Sequence, residues 1–297
     1  MSNPSVASAV PAARGLPLAA ALLAVYVIWG TTYLAIRFAL EGFAPFFQIG
    51  TRFIVAGLLM GGWLALRRAA MPTARQWLHC AVVGTLMLGG GTGLVAVAEQ
   101  TISSGAVTVL IGAMPVCAAL WARAFGEPTA AGDWVAIGLG SAGVVLLTAG
   151  GEFRASPAGT LSVLGAVSLW SLGSALSRRL DIPAGAAGFA AEMLGGGVVV
   201  LAFSALIGEP WSLQATPRAW AAWGYLVAFG SIVAFSAYMW LVAHVSAALA
   251  TSYAYVNPLV ALAVGAGLGG EQVAWQTFAA LPFVLAAVLL LARNARR

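Results

Sequence analysis

The chain has 297 residues, of which 61% are hydrophobic and only 8% charged. A soluble globular domain carries roughly a quarter charged residues, so a water-exposed surface cannot be built from this composition and the chain is read as a membrane protein. Its net charge of +5 comes from scattered arginines, all fourteen cations being arginine. No basic patch with interleaved aromatics is present, which excludes a nucleic-acid partner.

In chain order, charge, proline and glycine divide the sequence into ten spans of the ~20 residues a bilayer requires. They are expected near 18–38, 46–66, 76–98, 104–122, 134–150, 158–177, 186–207, 219–243, 247–267 and 273–292. The first apolar run, Leu18 to Ile36, has 19 residues, too long for a signal-peptide core. Residues 219–270 hold no charge except the His244 imidazole, and their length demands two spans with a tight turn at His244-Val245-Ser246. Cys80 and Cys117 both fall within spans and read as small buried thiols, not a disulfide or metal site.

Orientation follows arginine placement. With the N-terminus inside, the inner segments hold Arg14, Arg67, Arg68, Arg75, Arg123, Arg178, Arg179, Arg293, Arg296 and Arg297, against Arg37, Arg154 and Arg218 outside. Both termini are therefore expected in the cytoplasm.

An internal repeat runs through the chain. "WGTTYLAIR" (Trp29 to Arg37) and "WSLGSALSR" (Trp170 to Arg178) share a Trp and an Arg eight apart, at an offset of 141. Arg75 matches Arg218, Thr108 matches Thr251 and Pro115 matches Pro258, each at an offset of 143. Glu127 in "FGEP" falls one residue from the equivalent of Glu271 in "GGEQ". Five spans per copy is odd, so the second copy enters the membrane from the other side, the inverted-repeat plan of secondary transporters with a midplane site between the repeats. The expected organisation is a tail at 1–17, repeats at 18–152 and 153–292, and a tail at 293–297.

The candidate site residues follow from chemistry at membrane depth. Pro115 and Pro258 each free the carbonyl four residues earlier, of Ile111 and Ala254, which a neighbour, water or ligand must satisfy. Each proline reads as a packing kink or as a bend beside the substrate path. Ser252 and Asn257 add polar groups near the second. Trp29 and Tyr33 share a helix face, Trp170 is the repeat mate of Trp29, and Tyr238, Tyr253 and Tyr255 cluster in the eighth and ninth spans; Trp29, Tyr33, Trp170, Tyr238 and Tyr255 are expected to line a cavity. Trp211, Trp220 and Trp275 fit an interfacial belt. Charges at membrane depth are functional candidates: Arg52 is expected to pair with Glu99 or Glu41, Glu192 has no evident partner, and His79 is a titratable group one turn into the third span. Gly57/Gly61, Gly89/Gly93 and Gly265/Gly269 have the spacing of close helix packing. "GGGTG" at Gly89 lacks the lysine of a phosphate loop, which excludes a built-in ATPase.

The stretches "IWGTTYLAIRFALEGFAPFFQIGTRF", "GGGTGLVAVAEQTISSGAVTVL" and "AYMWLVAHVSAALATSYAYVNPLVALAVGAGLGGE" resemble EamA-type permeases of the drug/metabolite transporter superfamily, from about Val25 to Leu291. The resemblance implies an all-α polytopic fold of ten helices, a central cavity between the halves, and export of small metabolites across a bacterial inner membrane. YddG-type exporters of aromatic and other amino acids belong to this superfamily. A monomer in the lipid bilayer with a small-molecule substrate, no cofactor and no metal is expected. Neutral or zwitterionic substrates fit better than sugar-phosphates, because Arg52 is the one cation inside a span and phosphate wants several. An intramembrane enzyme and a channel are the alternative classes, but the sequence has no His-Glu-x-x-His and no aspartate pair within spans, and no repeated filter loop or charged ring.

Overall fold

A computed structural model describes residues 15–102, 104–127, 130–147, 156–269 and 275–294. Arg14, Arg154, Glu271 and the two chain ends at 1–14 and 295–297 lie outside these ranges, as does the side chain of Trp275. Among the described residues every regular element is helical.

Six helices are long and apolar enough to cross a membrane: α1 (Leu16–Ala39), α2 (Pro45–Leu66), α3 (Ala74–Ala98), α7 (Pro157–Ser177), α8 (Ala186–Leu206) and α9 (Pro217–His244). Between and after them lie α4 (Ser104–Ile111), α5 (Met114–Ala124), α6 (Ala131–Leu147), α10 (Ala247–Ala250), α11 (Tyr253–Gly269) and α12 (Trp275–Asn294). Starts are fixed by local chemistry. Pro45, Pro157 and Pro217 open their helices within the first two positions, where the missing N–H has no helical partner to lose. Thr73 and Gln76 form a reciprocal capping box on α3, and Ser156 and Thr216 cap α7 and α9, each satisfying donors that a membrane-interface terminus leaves open.

Two expectations about helix interruption meet different outcomes. The fourth span is broken at Gly112-Ala113, and Pro115 sits in the first turn of α5, so the proline there restarts a helix. Pro258 instead lies inside α11, and the break falls at Thr251-Ser252. A further device is absent from the expectation. Three helices widen to π geometry mid-course, at Val25–Trp29 in α1, Thr85–Gly93 in α3 and Leu226–Val233 in α9. A π turn accommodates a surplus residue and leaves carbonyls to other donors. Thr31 Oγ1 donates to Ile28 O at 2.7 Å and Thr32 Oγ1 to Trp29 O at 2.7 Å.

Polar contacts between connections fall into two sets, one per face. On the first face Arg218 pairs with Glu41, Glu209 accepts from the Phe46 and Phe47 amides, and Ser156 donates to Thr101. On the second, Gln76 donates to Asp181, Arg179 pairs with Glu127, and Asn294 donates to Asp133. Most described arginines outside the helix cores belong to the second face: Arg67, Arg68, Arg75, Arg123, Arg178, Arg179 and Arg293.

Between these faces α2 and α8 run antiparallel in close contact. A Cβ on Gly50 would meet Leu201, and one on Gly57 would meet Leu194; one partner number rises as the other falls. The α3–α7 pair has the same sense, with Gly90 against Leu169 and Gly173 against Leu86 and Met87. So does α1–α9, where Gly42 meets Ala215 and Trp29 bonds to Gly230. The tightest approach is between α3 and α8, where Gly84 faces the Glu192 carbonyl and Gly196.

Candidate functional site

A partly open cavity, about 590 Å³ of empty space counting its mouth, lies where α1, α2, α3, α7 and α9 converge with the break before α5. Its wall residues on α1 run from Trp29 to Ile36 and on α2 include Arg52 and Phe53. Each of the three π-helical segments contributes to or abuts this wall, through Trp29, Gly91-Thr92 and Gly230. The widened turns therefore stand where the helices must part to enclose space.

The cavity ends on an aromatic layer. Trp29 and Trp170 meet edge to face with centroids 5.3 Å apart, Tyr253 lies 4.8 Å from Trp29, and Tyr238 lies 5.0 Å from it. Such contacts add about 0.5–1.5 kcal/mol each beyond burial. Buried polar ends are satisfied within the layer. Trp29 Nε1 donates to the Gly230 carbonyl at 3.2 Å, Trp170 Nε1 donates to Tyr238 Oη at 3.2 Å, and Ser174 bonds Tyr238 Oη at 2.8 Å. Gly91 permits this packing, since a Cβ there would come within 2.6 Å of the Trp170 ring.

Beyond the layer lies a second cavity of about 330 Å³, with Ser174, Arg178, Glu127, Tyr238 and Thr251 in its wall. The two spaces follow one another along the same elements. On α7 the wall passes from Ala166 and Trp170 to Ser174 and Arg178, and on α9 from Gly230 and Phe235 to Tyr238 and Val242. The larger cavity is on the side of the first face and the smaller on the side of the second, with aromatic rings between them.

Arg52 is 3% exposed and belongs to the larger cavity's wall. Its Nε donates to Ser231 Oγ at 2.7 Å, and Nη1 has no partner. The ion pair expected with Glu41 or Glu99 is not formed: Glu41 is taken by Arg218, and neither Glu99 oxygen has a hydrogen-bond partner. Seven residues from the start of α2, Arg52 is about 10 Å deep at 1.5 Å per residue, whereas Glu41 lies in the surface connection.

Of the sequence-derived candidates, Trp29, Tyr33 and Trp170 stand in the larger cavity's wall, and Tyr238 in the smaller one's. Five others are elsewhere. Tyr255 points its ring at Gly140 of α6 and donates to Ile137 O at 3.4 Å. Two helical positions beyond the cavity-lining Tyr253, it is rotated about 200° to the opposite side. Ser252 accepts from Tyr26 Oη at 2.7 Å while donating to Leu249 O. With its amide nitrogen toward the carbonyls of Tyr26 and Tyr253, at 3.2 Å each, Asn257 joins α11 to α1. Both contacts fall on Tyr26, in the wide turn of α1, one on its hydroxyl and the other on its carbonyl. Glu192 is fully buried at the α3–α8 crossing, in neither cavity's wall, with both oxygens unpartnered. His79 Nδ1 lies 3.1 Å from the Asp181 carbonyl at the second face. Sequence reasoning also missed Thr32, Phe235 and the Gly230-Ser231 pair, and grouped Tyr253 with Tyr238 and Tyr255 without assigning it to the cavity. A Gly-Ser step inside the apolar run "LVAFGSIV" was the available sign of the pair.

A bundle of apolar helices with stacked cavities separated by a ring layer defines a multi-pass membrane protein built to pass small molecules. The EamA-like transporter family model matches the chain twice, over residues 16–149 and 157–293, and the chain belongs to that family. It is thus a membrane transporter and not an enzyme. The chain is 42% identical over 277 residues to an uncharacterized inner membrane transporter, YedA, of Escherichia coli (strain K12), covering 93% of this chain and 90% of that one. It is 28% identical over 278 residues to an uncharacterized transporter, YdeK, of Bacillus subtilis (strain 168), covering 89% and 91%. A solved crystal structure of a protein with 20% identity superposes with a TM-score of 0.75 over 96% of this chain and all of the other, which speaks to the fold alone.

Proposed function

We propose that the protein is an inner-membrane exporter of small neutral or zwitterionic metabolites, amino acids including aromatic ones foremost, working by alternating access. In this reading the chain crosses the membrane ten times as two inverted five-helix repeats. The fourth and ninth crossings are each made of two pieces, α4 with α5 and α10 with α11. Antiparallel contact of α2 with α8, and of α3 with α7 as of α1 with α9, supports a two-fold relation between the halves. The arginine-rich second face is cytoplasmic by the positive-inside rule. The larger cavity then faces outward.

One observation carries the reading: a partly open cavity floored by Trp29 and Trp170, with a second cavity directly behind the rings. Solute held on the rings passes to the other side when the layer parts and the walls behind it close, the rocking of repeats around a fixed site. Aromatic rings bind apolar and planar bodies through area and quadrupole, which suits amino acids with such side chains. A sugar-phosphate or nucleotide-sugar carrier is disfavoured because Arg52 is the one cation among the described residues of the larger cavity's wall, and a phosphate group wants several. The test is uptake by proteoliposomes of purified protein across a panel of labelled amino acids and sugar-phosphates. Saturable uptake of aromatic amino acids is expected, and uptake confined to phosphorylated sugars would refute the reading.

A further inference from the structure

We infer that Arg52 is the anchor for a carboxylate, so that the solutes carried are those with one carboxylate joined to an apolar body. The inference rests on the transport reading above and narrows its substrate class.

The guanidinium is held in a built cradle. Ser231 Oγ accepts from Nε at 2.7 Å, and the Phe53 ring centroid lies 4.8 Å from the guanidinium carbon. Gly230 lets the group lie flat against α9, because a Cβ there would fall 2.8 Å from Nη2. The widened turn at Leu226–Val233 supplies both residues. The same Gly230 offers its carbonyl to Trp29 Nε1, so the cation and the aromatic floor are positioned by one short segment.

What this cradle omits is an anion. Arg52 is 3% exposed, has Nη1 unpartnered and forms no ion pair with any described carboxylate. A desolvated cation in a mostly apolar wall is unfavourable unless its charge is met, and Arg52 is part of the wall around the space a solute enters. A planar guanidinium recognises a carboxylate through short, charge-assisted N–H···O bonds. Since Nε is committed to Ser231, the terminal nitrogens are left for that contact. A single cation suits a monoanionic carboxylate, while Trp29 and Trp170 receive the remainder of the molecule.

The test compares L-phenylalanine with L-phenylalaninamide and 3-phenylpropionate in proteoliposomes, which separates the carboxylate from the amino group and from the ring. Wild-type protein is expected to prefer the two acids over the amide by about tenfold or more. Arg52→Gln should bring the acids down to the level of the amide. Arg52→Lys, a point charge without the planar fork, should fall between. Where Arg52→Gln fails to fold, Arg52→Lys decides: an acid-over-amide preference in the lysine variant equal to that of wild type would overturn the anchor. Equal handling of acid and amide by wild type would overturn the anchor and leave the transport reading standing, as would a preference that survives in folded Arg52→Gln. If wild type moves none of the three while moving other solutes, the carboxylate assignment and the amino-acid reading fall together.

Discussion

Gly84→Ala perturbs the place where the backbones of α3 and α8 come closest. A Cβ built on Gly84 would lie 2.1 Å from the Glu192 carbonyl oxygen, 2.9 Å from its carbon and 3.2 Å from Gly196 Cα. Ordinary contact begins at 3.4 Å, so the shortfall is about 1.3 Å against atoms that no rotamer change can move. Whole helices must part, and the gap opens the packing of neighbours on both. Overpacking costs about 1–3 kcal/mol where side chains can yield, and more where they cannot, so about 3 kcal/mol is expected here. At roughly 2–4 °C per kcal/mol for a domain of this size, the melting temperature in detergent should fall by about 6–12 °C. Gly62→Ala on α2 is the matched control. Its Cβ would meet nothing within 4 Å, and replacing a helical glycine by alanine favours the helix by up to about 1 kcal/mol. That variant should melt at or above the wild-type temperature. The two are read by thermal unfolding of purified protein, and a Gly84→Ala protein as stable as Gly62→Ala would refute the close approach of these helices.

Trp170→Ala removes the edge contact to Trp29 and opens the layer between the cavities; apparent affinity should weaken by about 1 kcal/mol, read as a raised half-saturation in uptake by a protein that still unfolds cooperatively, while unchanged uptake would remove the rings from the solute path. Glu192→Gln takes away a buried, unpartnered carboxylate without changing its shape, so stability at neutral pH should rise, by about 1 kcal/mol; a lower melting temperature would reveal an interaction that the carboxylate holds. Pro258→Ala restores an N–H opposite the Ala254 carbonyl inside α11; melting should be neutral or higher and transport lower, and full transport would reduce the proline to a packing feature.

Composition and periodicity made the helical membrane fold legible, together with the two-copy organisation, because both depend on properties summed over many residues. The turn after His244 was equally plain, since no single helix could absorb the length of the apolar run. Side-chain direction was less legible. Trp29, Tyr33 and Trp170 could be placed on inward helix faces from spacing and the repeat, but Tyr255 and Tyr253 could not be told apart without the phase of α11. That phase depends on where the preceding break falls, at Thr251-Ser252 and not at Pro258. The π turns had no visible signal: each shifts the register by a residue, so a fixed 3.6-residue period fails across Val25–Trp29, Thr85–Gly93 and Leu226–Val233. The partner of Arg52 was missed for this reason, Ser231 lying in the last of these segments.

The ion pairs at the two faces have a consequence for the medium. Glu41 and Arg218 join the two halves of the sequence across the first face, and Glu127 and Arg179 join them across the second. Any motion that parts the halves at one face must release one of these pairs and spare the other. Both are substantially exposed, with side chains 61% and 32% accessible in the first and 38% and 37% in the second, so each contributes at most about 1 kcal/mol. Each is a weak latch, the second with Arg178 Nη1 also 4.0 Å from Glu127. The solutions bathing the two faces of a membrane need not have the same ionic strength, and a Debye length of about 10 Å at 0.1 M shrinks to about 3 Å at 1 M. Raising salt on one side alone therefore loosens the latch on that side alone. Vesicles with unequal salt inside and out should shift the balance of open faces in opposite directions when the gradient is reversed.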